Sequence, residues 1–368
     1  MKVGVHWTVA VIFAVIAIGL AQSRLPAAHP GHLWALYWAV GLLTAVVFLA
    51  SLLAHELAHA VVARRNGVGV DDIVLWLLGG VARLRGEAPS PGVEFRIAGV
   101  GPLVSLVLGV VFGLSAWLVH AGFGAGLGVD ALAWLAAINI LLAVFNAVPA
   151  APLDGGRLLR ALLWRRTGDK FRATVGASTA GRGFGWLLVL LGLFLFVRGD
   201  TVGGVWTALI GWFLTSAATL ERRQAEVAKT LAGIPVRNAM TREPAAVPTR
   251  LTVAEFLRDA AFRYRHSAFP VVDEAGAPVG LVTLDAARHV SEREQGTVFV
   301  ADVMLPLAEV DVVGPDEPLA NLLPRLDPAP EHRVLVVADG RLIGIVSAAD
   351  INGMVTWLNV NNPQRRSP

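Results

Sequence analysis

The sequence predicts a polytopic α-helical membrane domain of about six transmembrane helices, followed by a cytosolic α/β module. Three observations predict it. Hydrophobic residues make up 55% of the chain and the mean hydropathy is +0.60, well above a soluble domain. Apolar segments stand near 5–22, 33–63, 97–120, 131–150, 184–198 and 202–220. After Leu220 charged and apolar residues mix as in a soluble α/β domain, and a pattern of strands and helices occurs twice.

The spans follow from length. Roughly twenty apolar residues cross a bilayer as a helix. The first segment follows only one basic residue, Lys2, which favours a retained helix over a cleaved leader in Met1 to Leu20. The second is longer than a span needs, so tilt or protrusion is expected. The fifth has a short apolar core, Trp186 to Val197, and borrows the small residues of Gly176 to Gly185. Trp134, Trp186, Trp206 and Trp212 suit membrane packing or interface positions, and His6 and Trp7 suit an interface. With six spans, Lys2, Arg64, Arg65, Arg83, Arg85, Arg96, Arg157, Arg160, Arg165, Arg166, Lys170, Arg172, Arg182, Arg222 and Arg223 fall on one side. Only Arg24 and Arg198 fall on the other. Lys and Arg concentrate in cytoplasmic loops, which places both termini in the cytosol. The small net charge of +3, clustered beside apolar runs, reads as topology rather than nucleic-acid binding.

The second span carries the chemistry. His55-Glu56-Leu57-Ala58-His59 lies in a run from Leu33 to Ala63 that contains no Lys, Arg or Asp. Residues i and i+4 share a helix face, so both imidazoles project the same way. H-E-x-x-H on a helix is a zinc-binding pattern in which the Glu serves as general base. A carboxylate at the bilayer centre costs roughly 3 kcal/mol, so Glu56 needs a compensating partner. There is no cysteine, which excludes disulfides and thiolate sites and leaves His and carboxylate as metal ligands.

Catalytic zinc usually takes three protein ligands. Asp71, Asp72, Glu87 and Glu94 fall in a polar connection, while His29, His32 and His120 fall on the opposite side. Asp154 remains, in the stretch Asn146 to Arg157, which closes the fourth span on the side of His59. Pro149 and Pro152 break helical bonding there, and irregular backbone at that depth survives only where it is buried or lines a cavity.

H-E-x-x-H in one span, with N-x-x-P-x-x-P-L-D-G-G-R after a later one, resembles the site-2 protease family of intramembrane zinc metalloproteases. The whole chain resembles the Rip-type actinobacterial branch. The resemblance implies one zinc held by His55, His59 and Asp154, water activated by Glu56, and Asn146 holding the substrate strand or polarising its carbonyl. It also implies a membrane-associated hairpin over Leu78 to Leu84, in which Gly79 and Gly80 help bind a substrate strand. The implied substrate is a transmembrane helix of a membrane-anchored regulator, such as an anti-sigma factor. That helix must unwind locally before attack. Spans one, five and six carry no chemistry and are the expected lateral gate. No PDZ insertion is visible between the spans.

In the soluble part, Val236 to Met240 matches Val300 to Met304, and Gly280 to Thr283 matches Gly344 to Ser347 at the same offset. Strands are expected at 269–273 and 279–283, and again at 333–337 and 342–346. The repeats resemble a pair of CBS domains, and Gly344 to Ile351 follows that family's G-x-x-[ST]-x-x-D form. This implies an adenine-nucleotide site with Ser347 on phosphate and Asp350 on ribose. The first copy departs, since Asp285 comes one residue early after Thr283. CBS pairs tend to associate, so a homodimer is a further expectation. His266, His289 and His332 read as solvated.

The chain thus divides into a transmembrane zinc protease domain (1–220), a linker helix (221–235), CBS 1 (236–295), CBS 2 (296–358) and a disordered tail (359–368). The competing class is a CBS-gated transporter or channel with Glu56 and Asp154 on an ion path.

Overall fold

The computed structural model describes residues 2–76, 79–86, 88–260, 266–323, 325 and 333–361. Leu78, Glu87, His332 and 362–368 lie outside them. The chain forms two compact units, Met1–Ala225 and Glu226–Pro368.

In the first unit, strand β1 (Lys2–Val5) precedes helix α1 (Val9–Ile18), which continues through a π-helical segment (Gly19–Arg24) into α2 (Leu25–Ala28). Helix α3 (Trp34–Arg65) ends with Arg64 and Arg65 in its last turn, where cations complement the helix dipole. Strands β2 (Gly69–Trp76) and β3 (Gly79–Arg85) form an antiparallel hairpin, and β1 pairs parallel to β2 with Lys2 opposite Asp72. The sheet order is β1-β2-β3, so β3 keeps an outer edge. Then come α4 (Pro91–Phe123), α5 (Leu127–Ala147), α6 (Asp154–Thr167), α7 (Lys170–Val197) and α8 (Thr201–Ala232).

Among the described residues six helical stretches are long and apolar enough to cross a membrane: Val9–Ala28, α3, α4, α5, α7 and α8. Three sequence expectations change in detail. The third span does not start at 97. Ser90 caps α4 by accepting from Val93 N–H, and Pro91 opens the helix, so Glu94 and Arg96 lie inside it rather than in a polar connection. Glu94 is fully buried and paired with Arg160 (Nε to Oε1 2.7 Å). Helix α6 has no counterpart in the list of apolar spans, because it is a short amphipathic helix with Arg157, Arg160, Arg165 and Arg166 among its residues. Glu221 to Lys229 belong to α8. The fifth span does recruit the small residues of 176–185.

The second unit holds two four-stranded sheets, which include the short strands β5 (Val247–Pro248) and β9 (Val312–Val313) and are ordered β5-β6-β7-β8 and β4-β11-β10-β9. Strands β6 (Ala268–Val272), β7 (Pro278–Thr283), β10 (Val334–Ala338) and β11 (Arg341–Val346) sit within a residue of expectation. The β10-β11 turn places Asp339 and Gly340 at positive φ (51° and 75°), as a two-residue hairpin turn requires. The short strands are exchanged between copies. Strand β4 (Thr241–Arg242), from the first copy, pairs with β11, and β8 (Leu305–Pro306), from the second, pairs with β7. This explains the repeated landmarks. A Cβ on Gly280 would meet Met304 Sδ at 2.8 Å, and one on Gly344 would meet Met240 Sδ, so each repeated glycine makes room for the other copy's methionine.

Candidate metal centre

Helix α3 delivers His55 and His59 one turn apart, with 3% and 6% of their surface exposed. The third group arrives from the first turn of α6. The stretch between α5 and α6 is irregular and tightly folded, with Ala150 N–H bonded to Val148 O (2.7 Å) and Leu153 N–H to Ala150 O (3.0 Å). Its Ala151-Pro152 peptide is cis. Ala150 and Ala151 are buried, as irregular backbone at this depth must be. Gly156 packs against that backbone so closely that a Cβ would lie 2.6 Å from the Ala150 carbonyl carbon. Asp154 is thereby set beside the two imidazoles.

Three atoms converge. His55 Nε2 lies 3.2 Å and His59 Nε2 3.1 Å from Asp154 Oδ2, and the two Nε2 atoms are 3.2 Å apart. Donors about 2.0–2.1 Å from a common tetrahedral ion stand about 3.3 Å from one another, so the triangle has the size that zinc demands. The surroundings dictate one tautomer. His59 Nδ1 is 2.6 Å from the carbonyl of Ile97, which can only accept, so Nδ1 donates and the neutral ring turns a lone pair inward. His55 Nδ1 faces Ser105 Oγ at 2.9 Å. With both imidazoles in the metal-binding tautomer, two lone pairs and a carboxylate oxygen at this spacing repel unless a cation lies among them. Among the described residues these three are the group able to hold a metal ion.

Glu56 is half-buried beside them and accepts from Gly80 N–H at 3.2 Å. The register explains why that N–H is free to reach it. Gly80 pairs with Leu75, and Leu75 gives its carbonyl to His6 N–H on the β1 side, so Gly80 turns its own groups away from β2. Asn146 lies in the last turn of α5, with Nδ2 donating to Leu142 O (3.1 Å). His29 pairs with Asp130 at 2.7 Å, away from the triad. In the second unit Ser347 and Asp350 bond each other (Oγ to Oδ2 2.6 Å) where the final helix begins. His266 and His289 are exposed. The sequence reading passed over Ile97, Gly101 and Ser105. The only signal was two small residues one turn apart in the span after H-E-x-x-H.

Residues 43–128 and 124–190 match peptidase family M50, and residues 236–292 and 300–355 each match the CBS domain. Rip3 of Mycobacterium tuberculosis, provisionally named a zinc metalloprotease, is 44% identical over 363 residues, covering 98% of this chain and 92% of Rip3. The chain belongs to the site-2 protease family. A second member of similar length, zinc metalloprotease MJ0392 of Methanocaldococcus jannaschii, is 30% identical over 341 residues, 93% of this chain and 89% of that one. A solved site-2 protease from Methanocaldococcus jannaschii is 30% identical, covers 60% of this chain and 90% of its own, and superposes with a TM-score of 0.40. This site-2 protease is accordingly a multi-pass membrane metalloprotease with a C-terminal CBS pair, the fold and enzyme class that the motifs imply. The channel reading belongs to another family.

Proposed function

We propose that this chain is an intramembrane zinc endopeptidase that cleaves a membrane-anchored regulator, of the anti-sigma type, within its transmembrane segment. The observation that carries the reading is the convergence of His55 Nε2, His59 Nε2 and Asp154 Oδ2 within 3.2 Å at the buried end of an apolar helix. These three residues hold the ion. When bound, zinc supplies Lewis acidity to water and to the scissile carbonyl. Glu56 takes the proton of the attacking water and hands it to the departing amine nitrogen. Asn146 orients the substrate backbone at the mouth of the site.

The outer edge of β3 receives the substrate as an unwound strand, with main-chain hydrogen bonds replacing those of its helix. The Gly80 N–H, turned away from β2 and bonded to Glu56, supports this, because a strand added there passes beside the base. Gly79 opens the same strand. Spans one, five and six serve as the lateral gate. Both termini face the cytosol. The CBS pair modulates access, with an adenine nucleotide contacting Ser347 and Asp350 and with dimerisation through the same module.

Glu56→Gln is the direct test. It is expected to keep about one zinc per chain while proteolysis of a reconstituted membrane substrate falls by at least about 10²-fold, the lower end of what a general acid–base group contributes. His55→Ala is expected to lose the metal. A Glu56→Gln enzyme that cleaves at the wild-type rate would end this mechanism.

A further inference from the structure

We propose that one face of α4 is the outer wall of the metal centre, and that Ser105 is a positioning residue that holds His55 in its metal-binding orientation and accepts its Nδ1 proton when the metal is bound. The inference rests on the zinc reading of His55, His59 and Asp154 and adds residues to it.

The geometry is a matched pair of helix faces. His55 and His59 are four residues apart on α3. Their Nδ1 atoms meet Ser105 Oγ and the Ile97 carbonyl, eight residues apart on α4. The lower-numbered imidazole meets the higher-numbered partner, as crossing antiparallel helices require. Ile97, Gly101 and Ser105 stand at intervals of four and so share one face. All three are buried. Each imidazole therefore has its far nitrogen engaged by α4, and its near nitrogen is directed at Asp154.

Gly101, midway along that face, is where the wall must be thinnest. A Cβ there would lie 2.6 Å from His55 Nε2 and 2.6 Å from His59 Cε1, and closer still to His59 Nε2. It would intrude on the space where the donor atoms converge. Any side chain at this position displaces the imidazoles or the ion.

The two outer contacts differ in kind. The Ile97 carbonyl cannot donate, so it dictates the His59 tautomer whatever else happens. A serine hydroxyl can accept or donate. If Ser105 donates to His55 Nδ1, the ring's proton moves to Nε2 and its inward lone pair is lost. If Ser105 accepts, Nε2 is a ligand. Metal binding at Nε2 and acceptance at Ser105 Oγ are thus one event, and the hydroxyl is what makes it available to His55. Partners of this class typically change metal affinity by about 10–100-fold when removed.

The test uses the full chain purified in detergent. Zinc affinity is read by chelator competition, and cobalt(II) is substituted so that its visible spectrum reports ligand geometry. Ser105→Ala is expected to weaken zinc binding about 10–100-fold, to alter the cobalt spectrum, and to regain one metal per chain at higher free zinc. Ser105→Thr, which keeps the hydroxyl, is expected to stay within about threefold of wild type, inside the lower bound of that range. Gly101→Ala is expected to lose zinc, although alanine is the better helix former. Wild-type zinc affinity in Ser105→Ala, alongside loss of zinc in His55→Ala, overturns the inference and leaves the metal centre standing. Equal weakening in Ser105→Ala and Ser105→Thr also overturns it, since the hydroxyl then plays no part. Full zinc binding by His55→Ala overturns the metal centre and this inference with it.

Discussion

Glu94 shows what a single buried charge demands of its surroundings. Its side chain is fully buried in the first turns of α4, and Arg160 on α6 bonds one of its carboxylate oxygens. A carboxylate taken out of water is tolerated only when paired and hydrogen-bonded. Arg160→Met removes the partner and leaves the charge, which costs about 3–5 kcal/mol. Thermal unfolding of the detergent-solubilised chain is expected to show a clearly lowered midpoint, with most of the loss recovered in the Glu94→Leu/Arg160→Met double variant. A single variant as stable as wild type would mean that the pair does not clamp α6 to α4. Neither residue could be matched to the other from sequence, because they are 66 positions apart and nothing local marks an ion pair. The ligands were legible for the opposite reason. His55, Glu56 and His59 carry a spacing that only a helix converts into chemistry, and Asp154 sits in a turn whose prolines and glycines announce irregular backbone. Ser105 carried no such mark, since a serine in an apolar helix is usually only a small packing residue.

At the scale of elements, hydrophobic length identified the spans, while their ends depended on caps. Ser90-Pro91 is a helix-start signal that precedes the apolar run by two turns, and reading the run alone starts α4 too late. Helix α6 is amphipathic and 14 residues long, so a search for continuous apolar stretches passes over it even though it carries Asp154. The pairing of β1 with β2 joins strands some seventy residues apart, with α1 to α3 between them, and leaves no periodic trace. The β2-β3 hairpin lends itself to test at Gly80. An added Cβ would meet Glu56 Cδ at 2.6 Å and Oε1 at 2.9 Å, so Gly80→Ala must push the carboxylate aside or lift the strand. Misplacing a catalytic group by about 1 Å costs on the order of 10²-fold in rate. Gly80→Ala is therefore expected to lose about that much kcat/KM on a membrane substrate while keeping one zinc per chain, measured by metal analysis beside the cleavage assay. Undiminished cleavage would detach the hairpin from the base.

For the molecule as a whole, orientation decides how water and product reach the site. At 1.5 Å per residue, His59 and His55 lie about 9 and 15 Å from the Arg65 end of α3, so the metal centre sits nearer that end of the span than the other. Arg64 and Arg65 close α3, and α6 adds Arg157, Arg160, Arg165 and Arg166 on the same side. In the orientation proposed from the positive-inside rule, that side is cytosolic. That proposal has the catalytic water entering from the cytosol and the peptide released on that side free to leave. The chain has no cysteine of its own, so each introduced thiol reports one position. Gly92, Gly122, Gly128 and Gly233 are exposed, and a Cβ at any of them meets nothing within 4 Å. In intact cells a membrane-impermeant maleimide is expected to label Gly122→Cys and Gly128→Cys, which flank the connection between α4 and α5. Gly92→Cys and Gly233→Cys are expected to react only after permeabilisation. The reverse pattern would put the metal centre near the outer face. Water would then have to enter from outside, and the CBS pair would lie beyond reach of the adenine nucleotides proposed to regulate it.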